Sequence, residues 1–215
     1  MALRGVIFDL DGTLADTLPV CITGFRNALE AYTGRIYADA EITAMFGPSE
    51  EGVFLRLTPQ YAEEASQRYW EEYERAHESV RAPFPGIFDA LAFLKENGIH
   101  TAVVTGKGPH SAAISLRMLG LAAQFDIVEA GSPHGVIKPQ AMREVVARWQ
   151  VPHAQVAYVG DATADVTSAR QAGVIPLAAA WAETADYAAL RAMEPEETFR
   201  TVEELVAWVN NRIHT

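Results

Sequence analysis

The 215-residue sequence is short of several residue types, and each shortage excludes a class of protein. A single cysteine, Cys21, cannot form an internal disulfide, and no cluster of cysteine and histidine has the spacing of a zinc site. We expect Cys21 to be a small, buried apolar residue. The formal net charge of −11 argues against a nucleic-acid partner, because nucleic acids are held mainly by an excess of lysine and arginine.

Long hydrophobic runs are also absent. Charged or polar residues interrupt every apolar stretch before it reaches the roughly 20 residues that a membrane span needs. Arg4 and Asp9 argue against a secretory leader, so we expect a cytoplasmic protein with no membrane partner. A composition with 49% hydrophobic and 21% charged residues is typical of a globular protein that can bury a full core.

Lysine is scarce, since the chain contains only Lys95, Lys107 and Lys138. Pro139 follows Lys138 at the predicted start of a helix, where the partial positive charge of the helix dipole disfavours a cation. We therefore expect Lys138 to face an anion. The alternative is a surface lysine whose ammonium group is solvated.

Apolar segments alternate with helical patterns along most of the chain, which predicts a Rossmann-like parallel sheet with crossover helices, an α/β fold. The predicted strands cover residues 6–8, 99–104, 126–129, 156–159 and 174–178. The predicted helices cover residues 87–97, 110–119, 139–149 and 163–172, and a capping-box pattern from Thr201 to Glu204 predicts a last one.

Residues 16–82 contain helical patterns only, and Pro59 after Thr58 is typical of a capped helix start. We predict an α/β core domain made of residues 1–15 and 83–215. The inserted residues 16–82 are predicted to form a helical cap domain.

Polar residues follow three predicted strands. Asp9-Leu10-Asp11-Gly12-Thr13 follows the first, Thr105-Gly106-Lys107-Gly108 the second, and Gly160-Asp161 with Asp165 the fourth. Ligands of open α/β sheets bind at this edge. Two aspartates one residue apart repel each other unless a cation or a shared proton relieves the repulsion, so the first motif indicates a metal. Each motif alone is also compatible with a polar turn or a helix cap.

Taken together with Lys138, these motifs closely resemble those of the haloacid dehalogenase superfamily: Asp-x-Asp-x-Thr, then Thr or Ser, then Lys, then Gly-Asp-x-x-x-Asp. The resemblance covers essentially the whole chain, since the insertion is similar to the family's mobile cap. It implies phosphoryl transfer through an aspartyl-phosphate, with Asp9 as the nucleophile and Asp11 as the general acid and base. Thr105, Gly106 and Lys138 would hold the phosphoryl oxygens.

The resemblance also implies an Mg²⁺ site held by Asp9, the backbone carbonyl of Asp11, and Asp161. Asp165 would orient that site or a bound water. Asp11 argues against dehalogenation, because members with that chemistry lack the second aspartate. The cap segment contains no lysine, which argues against phosphonate hydrolysis and makes a sugar-phosphate mutase less favoured.

The branch that the chain resembles best is the phosphoglycolate-phosphatase-like hydrolases, acting as monomer or homodimer on a small phosphorylated metabolite. Inorganic pyrophosphatase, nucleotidase and sugar-phosphate mutase are alternatives within the superfamily, and a non-catalytic binding module is the alternative from another class.

Specificity is expected to depend on the cap loop at residues 46–50, with Ser49 and Arg56 as candidate substrate-binding residues. Glu50 and Glu51 make this loop acidic, which argues against phosphoglycolate itself. Arg56 could instead pair with an acidic neighbour on its own helix.

Overall fold

The computed structural model describes residues 2–213, so Met1 and residues 214–215, at the two ends of the predicted core, lie outside the described residues. Its strands form one parallel sheet in the order β3-β2-β1-β4-β5-β6. They are β1 (Gly5–Phe8), β2 (His100–Val104), β3 (Ile127–Glu129), β4 (Val156–Gly160), β5 (Ile175–Ala179) and β6 (Glu197–Phe199). The parallel α/β fold predicted from the sequence is confirmed.

The α-helices within residues 2–213 fall into two groups. Those before the second strand are α1 (Leu18–Thr33), α2 (Asp39–Thr43), α3 (Glu50–Leu57), α4 (Ala62–His77) and α5 (Ile87–Glu96). Those after it are α6 (Pro109–Met118), α7 (Lys138–Trp149), α8 (Thr163–Ala172), α9 (Tyr187–Ala192) and α10 (Val202–Asn210).

The central strand β1 is buried on both faces. Val6 and Phe8 belong to an apolar cluster that includes residues of α5 and α10, whereas Ile7 belongs to a cluster built with α7 and α8. Because neighbouring residues of a strand point to opposite faces, helices cover the sheet on both sides. This explains why β1 is continuously apolar.

Helices α1 to α4 pack around a separate cluster that includes Phe25, Phe54, Tyr69 and Tyr73. Ile114 of α6 joins this cluster, so the inserted helices rest on the sheet domain through α6. The division into core and cap domains at residues 16 and 82 stays a prediction.

The predicted helix start is confirmed in position, with Thr58 at the N-cap and Pro59 as the first helical residue, but Thr58 does not make the expected capping hydrogen bond. The Thr58 hydroxyl donates to the Phe54 carbonyl at 3.1 Å and so closes α3, with no side-chain capping bond to the next helix. Residues Pro59–Tyr61 form a single 3-10 turn, and α4 begins only at Ala62. The capping box at Thr201 and Glu204 is confirmed.

Two short elements near the C-terminus, α9 and β6, were not predicted. They are six and three residues long, too short for a clear periodicity. None of the helices within residues 2–213 combines the length and the hydrophobicity that a bilayer crossing requires.

Candidate active site

The polar motifs meet at the carboxyl edge of three adjacent strands. β1 lies between β2 and β4, and Phe8 is level with Val103 on one side and Val159 on the other. Asp9, one residue further, donates its backbone N–H to the Val159 carbonyl at 2.9 Å. This register brings Thr105 and Asp161, which follow the two neighbouring strands, to either side of Asp9.

Lys138 joins two acidic side chains from different elements. Its Nζ donates to Oδ2 of Asp9 at 2.9 Å and to Oδ1 of Asp165 at 2.6 Å. The expectation that this lysine faces an anion is therefore confirmed. Although burial lowers the pKa of Lys138, the carboxylates of Asp165 and Asp9 outweigh that effect and raise it above its usual range.

Three carboxylates converge beside this lysine. Asp9, Asp161 and Asp165 each offer an oxygen, and these oxygens all lie within 4.8 Å of one another. Burial, together with the charges of Asp9 and Asp165, raises the pKa of Asp161 well above its usual range. The pKa of Asp9 is raised to about 6, mainly because burial disfavours its charged form, and the ammonium group of Lys138 opposes that shift.

Gly12 allows this close approach. It has a φ of +71°, and a Cβ there would lie 2.1 Å from Oδ2 of Asp161. Across the turn, the Thr13 hydroxyl donates to Oδ1 of Asp161 at 3.3 Å. A residue with a side chain at position 12 would therefore displace the carboxylate of Asp161.

Asp11 lines the same cavity but is not part of this acidic cluster. Its Oδ1 accepts a hydrogen bond from the Thr17 hydroxyl at 2.5 Å and lies 3.4 Å from Nζ of Lys107. The ammonium group of Lys107 is also 3.6 Å from Glu50 of the inserted helices and 4.3 Å from the centre of the Tyr73 ring. Asp11 is thus held where core and insertion meet.

Lys107 and Glu50 are site residues that sequence reasoning missed. Both are buried, and Glu50 accepts hydrogen bonds from the backbone N–H of Gly108 and the hydroxyl of Ser111, each at 2.6 Å. Although burial lowers the pKa of Lys107, the charges around it, Asp11 foremost, outweigh burial and raise it. The scarcity of lysine was the one available signal.

Cys21 is buried and belongs to the apolar cluster of helices α1 to α4, as expected, but it also makes polar contacts. Lys107 donates to its Sγ at 3.1 Å, and the thiol donates to Oδ1 of Asp11 at 3.4 Å. Burial raises the pKa of the Cys21 thiol far above its usual range. Cys21 is therefore a neutral hydrogen-bonding member of the contact between Asp11 and Lys107.

One cavity of about 400 Å³ brings together most of the predicted site residues. The predicted residues that line it are Asp9, Asp11, Thr105, Gly106, Lys138, Asp161 and Asp165. Ser49 and Arg56 are not among its lining residues. The Ser49 hydroxyl donates to Glu51 at 2.5 Å, and Arg56 is exposed on α3 with no ion pair to any described residue.

The expected acidity of the cap loop is partly compensated. Glu50 is buried in contact with Lys107, a backbone N–H and two hydroxyl groups, those of Ser111 and Tyr69. The carboxylate of Glu51 accepts a hydrogen bond from Ser49. Lys107 therefore offsets the charge of Glu50, whereas Glu51 is held by a neutral hydroxyl only.

Known proteins resemble this chain over most of its length. The haloacid dehalogenase-like hydrolase family matches residues 6–179. Pyrophosphatase PpaX of Halalkalibacterium halodurans is 27% identical over 209 residues, which cover 96% of each chain. Phosphoglycolate phosphatase of Synechococcus elongatus is 31% identical over 182 residues, 83% of this chain and 84% of that protein.

Among solved structures, a haloacid dehalogenase-like family hydrolase from Streptococcus pneumoniae superposes with a TM-score of 0.76 at 26% identity, over 96% of this chain and 98% of the other. The family match spans far more than half of the chain, and the four polar motifs that the family shares line one cavity. The chain therefore belongs to the haloacid dehalogenase-like hydrolases.

Proposed function

We propose that the protein is an Mg²⁺-dependent phosphatase that hydrolyses a small phosphorylated metabolite through an aspartyl-phosphate. The observation that carries this proposal is the convergence of Asp9, Lys138, Asp161 and Asp165 within one cavity. Such a set joins a buried carboxylate nucleophile to an ammonium group that can bind phosphoryl oxygens.

The acidic residues fit a hard divalent cation. Oδ1 of Asp9 is buried and has no hydrogen-bond partner among the described residues, which is unusual for a carboxylate oxygen. Asp9, the backbone carbonyl of Asp11, and Asp161 would hold the ion. Both oxygens of Asp165 already accept hydrogen bonds, from Lys138 and from the backbone N–H of Ala162, so Asp165 would orient the site. When bound, Mg²⁺ supplies positive charge that offsets the charge of the phosphoryl oxygens.

The roles proposed for the remaining residues are those that the family resemblance implies, and all of these residues line the cavity. An oxygen of Asp9 attacks phosphorus, and the bond from phosphorus to the leaving oxygen breaks as Asp11 donates a proton to that oxygen. Asp11 then takes a proton from the water that attacks the aspartyl-phosphate, which releases phosphate and restores Asp9. Thr105, the Gly106 amide and Lys138 hold the phosphoryl oxygens in both steps.

The proposal is tested by removing the nucleophile. We expect Asp9→Asn to keep the fold but lose Mg²⁺-dependent release of p-nitrophenol from p-nitrophenyl phosphate. Asp89→Asn, which changes an exposed aspartate at the start of α5, is the matched control and should retain wild-type activity. Undiminished activity of Asp9→Asn, or no activity of the wild type with Mg²⁺, would contradict the proposal.

A second candidate is hydrolysis of inorganic pyrophosphate. It is favoured by relatives of this chain that carry the name pyrophosphatase PpaX, one of which covers 96% of it. The same nucleophile and the same acidic cluster would serve this reaction, so the two candidates differ only in what the rest of the cavity must hold. Direct comparison of pyrophosphate with phosphate monoesters separates them.

A further inference from the structure

The cavity beyond the reacting group has no cation left for a second anion. Five carboxylates and two ammonium groups line it, and no arginine or histidine of the described residues does so. Lys138 contacts Asp9 and Asp165, and Lys107 contacts Asp11 and Glu50. With Lys138 and the proposed Mg²⁺ assigned to the phosphoryl group, and Lys107 paired with Asp11 and Glu50, a carboxylate or second phosphate on the substrate would find no unpaired cation in the cavity.

The arginines of the inserted helices do not change this balance. Arg26 pairs with Asp39, Arg35 with Glu41, and both Arg68 and Arg75 with Glu72. None of them lines the cavity, and neither does Arg56. A substrate anion would thus have to recruit a cation from outside the cavity.

The mouth of the cavity is apolar. Phe46 and Val136 face it from the insertion and from the loop before α7, and they are 41% and 65% exposed, although large apolar residues are usually buried. Phe25 lies behind Phe46, with a distance of 5.8 Å between ring centroids, and Leu18 and Pro48 extend the apolar wall. An apolar or aromatic group would find contacts there.

From these two features we infer the substrate class: a phosphate monoester whose leaving group is uncharged and carries an apolar or ring-shaped part that packs against Phe46. This inference rests on the proposed phosphatase function and deepens it. A cavity of about 400 Å³ lies in the range of pockets that hold ring-sized ligands. The inferred preference for an uncharged leaving group makes phosphoglycolate and pyrophosphate poor substrates, because both have charged leaving groups.

The test compares substrates that differ in one charge. Phenyl phosphate and 4-carboxyphenyl phosphate have the same ring, and only the second adds a carboxylate. With purified protein and Mg²⁺ we expect kcat/KM to be about tenfold or more higher for phenyl phosphate, mainly through KM, because an unpaired charge is costly to place in an acidic cavity. Pyrophosphate is measured beside them and should be the poorer substrate.

Two variants then test whether the cavity mouth determines the preference for an uncharged leaving group. Phe46→Arg places a cation at the mouth and should raise kcat/KM for 4-carboxyphenyl phosphate relative to phenyl phosphate by about threefold or more. Leu55→Arg adds the same charge at an exposed residue of α3 that does not line the cavity, and should leave the ratio unchanged.

Different outcomes would contradict the inferred substrate class and the proposed phosphatase activity. Preference for 4-carboxyphenyl phosphate or pyrophosphate over phenyl phosphate would overturn the inference and leave the phosphatase in place. Equal shifts in Phe46→Arg and Leu55→Arg would overturn the role of the mouth. Failure to hydrolyse any of the substrates with Mg²⁺ would contradict the phosphatase itself.

Discussion

Lys107 is buried, whereas lysine side chains usually reach solvent. Its ammonium group is buried between carboxylates of two different segments, Asp11 of the core and Glu50 of the insertion, with the Tyr73 ring beneath it. Breaking a buried ion pair by removing one partner is costly because the other charge stays buried and unpaired. Lys107 therefore stabilises both the position of Asp11 and the contact between the two parts of the chain.

We predict that Lys107→Met lowers the free energy of unfolding by about 3 kcal/mol. Measured by urea denaturation, the loss should be smaller in the Lys107→Met/Glu50→Gln double variant than the sum of the two single losses, by about 1 kcal/mol or more. Strictly additive losses would show that the two residues do not act as a pair.

A second prediction concerns the replacement of Gly12 by alanine. Gly12 and Gly34 both have a positive φ, +71° and +67°, but only Gly12 has Asp161 where a Cβ would go. Alanine at either position should cost about 1 to 2 kcal/mol, because an L-residue is strained in this region. We expect only Gly12→Ala to raise the Mg²⁺ concentration needed for half-maximal phosphatase activity. An equal Mg²⁺ requirement in both variants would contradict the proposed position of Asp161.

At the scale of elements, the long apolar segments were predictable and the short ones were not. Strands β1, β2 and β4 end in polar motifs and β5 is an apolar run without one, so the positions of these strands could be predicted to within a few residues. Strand β6 has three residues at the edge of the sheet, and its pairing with β5 depends on contacts far along the chain. No local pattern encodes such a pairing.

The same limit applies to the site. Asp9, Asp11, Thr105, Lys138 and Asp161 could be found because each directly follows a strand or begins a helix. The contact between Glu50 and Lys107 arises only when α3 packs against the loop before α6, and nothing in the spacing of the two residues indicates it. The pairing of Glu50 with Lys107 could not be predicted for that reason.

Helix α4 ends at His77, and we predict that the contribution of this residue to stability depends on pH. The His77 ring is fully buried, its Nδ1 is 2.7 Å from the Val80 carbonyl, and burial lowers its pKa below the ordinary value. The unfolded chain therefore binds a proton on this residue more readily than the folded chain does. The stabilisation by neutral His77 is complete above about pH 6.5 and decreases as the pH falls toward the lower folded pKa.

We expect the free energy of unfolding of the wild type, relative to His77→Asn, to be smaller at about pH 5.5 than at about pH 7.5. Asparagine can donate the same hydrogen bond to the Val80 carbonyl but does not titrate, so other groups cancel in the comparison. Denaturant unfolding of the two proteins at both pH values measures the difference. A constant difference would show that the His77 pKa is the same in both states.

At the scale of the whole molecule, the fold gathers negative charge from distant parts of the chain. Asp161 and Asp165 lie about 150 residues after Asp9 in the sequence and come close to it only in the folded state. A divalent cation should therefore bind the folded state and not the unfolded chain, and so stabilise the fold by mass action.

This predicts a thermal shift that does not depend on turnover. At about one hundred times its Kd, Mg²⁺ should stabilise the fold by about 2.7 kcal/mol. For a chain of this length that corresponds to a rise in Tm of roughly 5 to 10 °C. Asp161→Asn should lose most of the shift and Asp89→Asn should keep it. An equal shift in both variants would place the ion elsewhere.

The position of β1 in the sheet has a consequence for biosynthesis. Translation delivers β1 well before one of the two strands that flank it, because β4 begins only at Val156. At about 5 to 20 residues per second, a ribosome needs roughly seven to thirty seconds to supply that neighbour. During this interval the hydrophobic β1 segment leaves the exit tunnel without its β4 partner. Unpaired backbone groups at such an edge can pair with other chains and so promote aggregation. We therefore expect nascent β1 to depend on chaperone protection until β4 has been made.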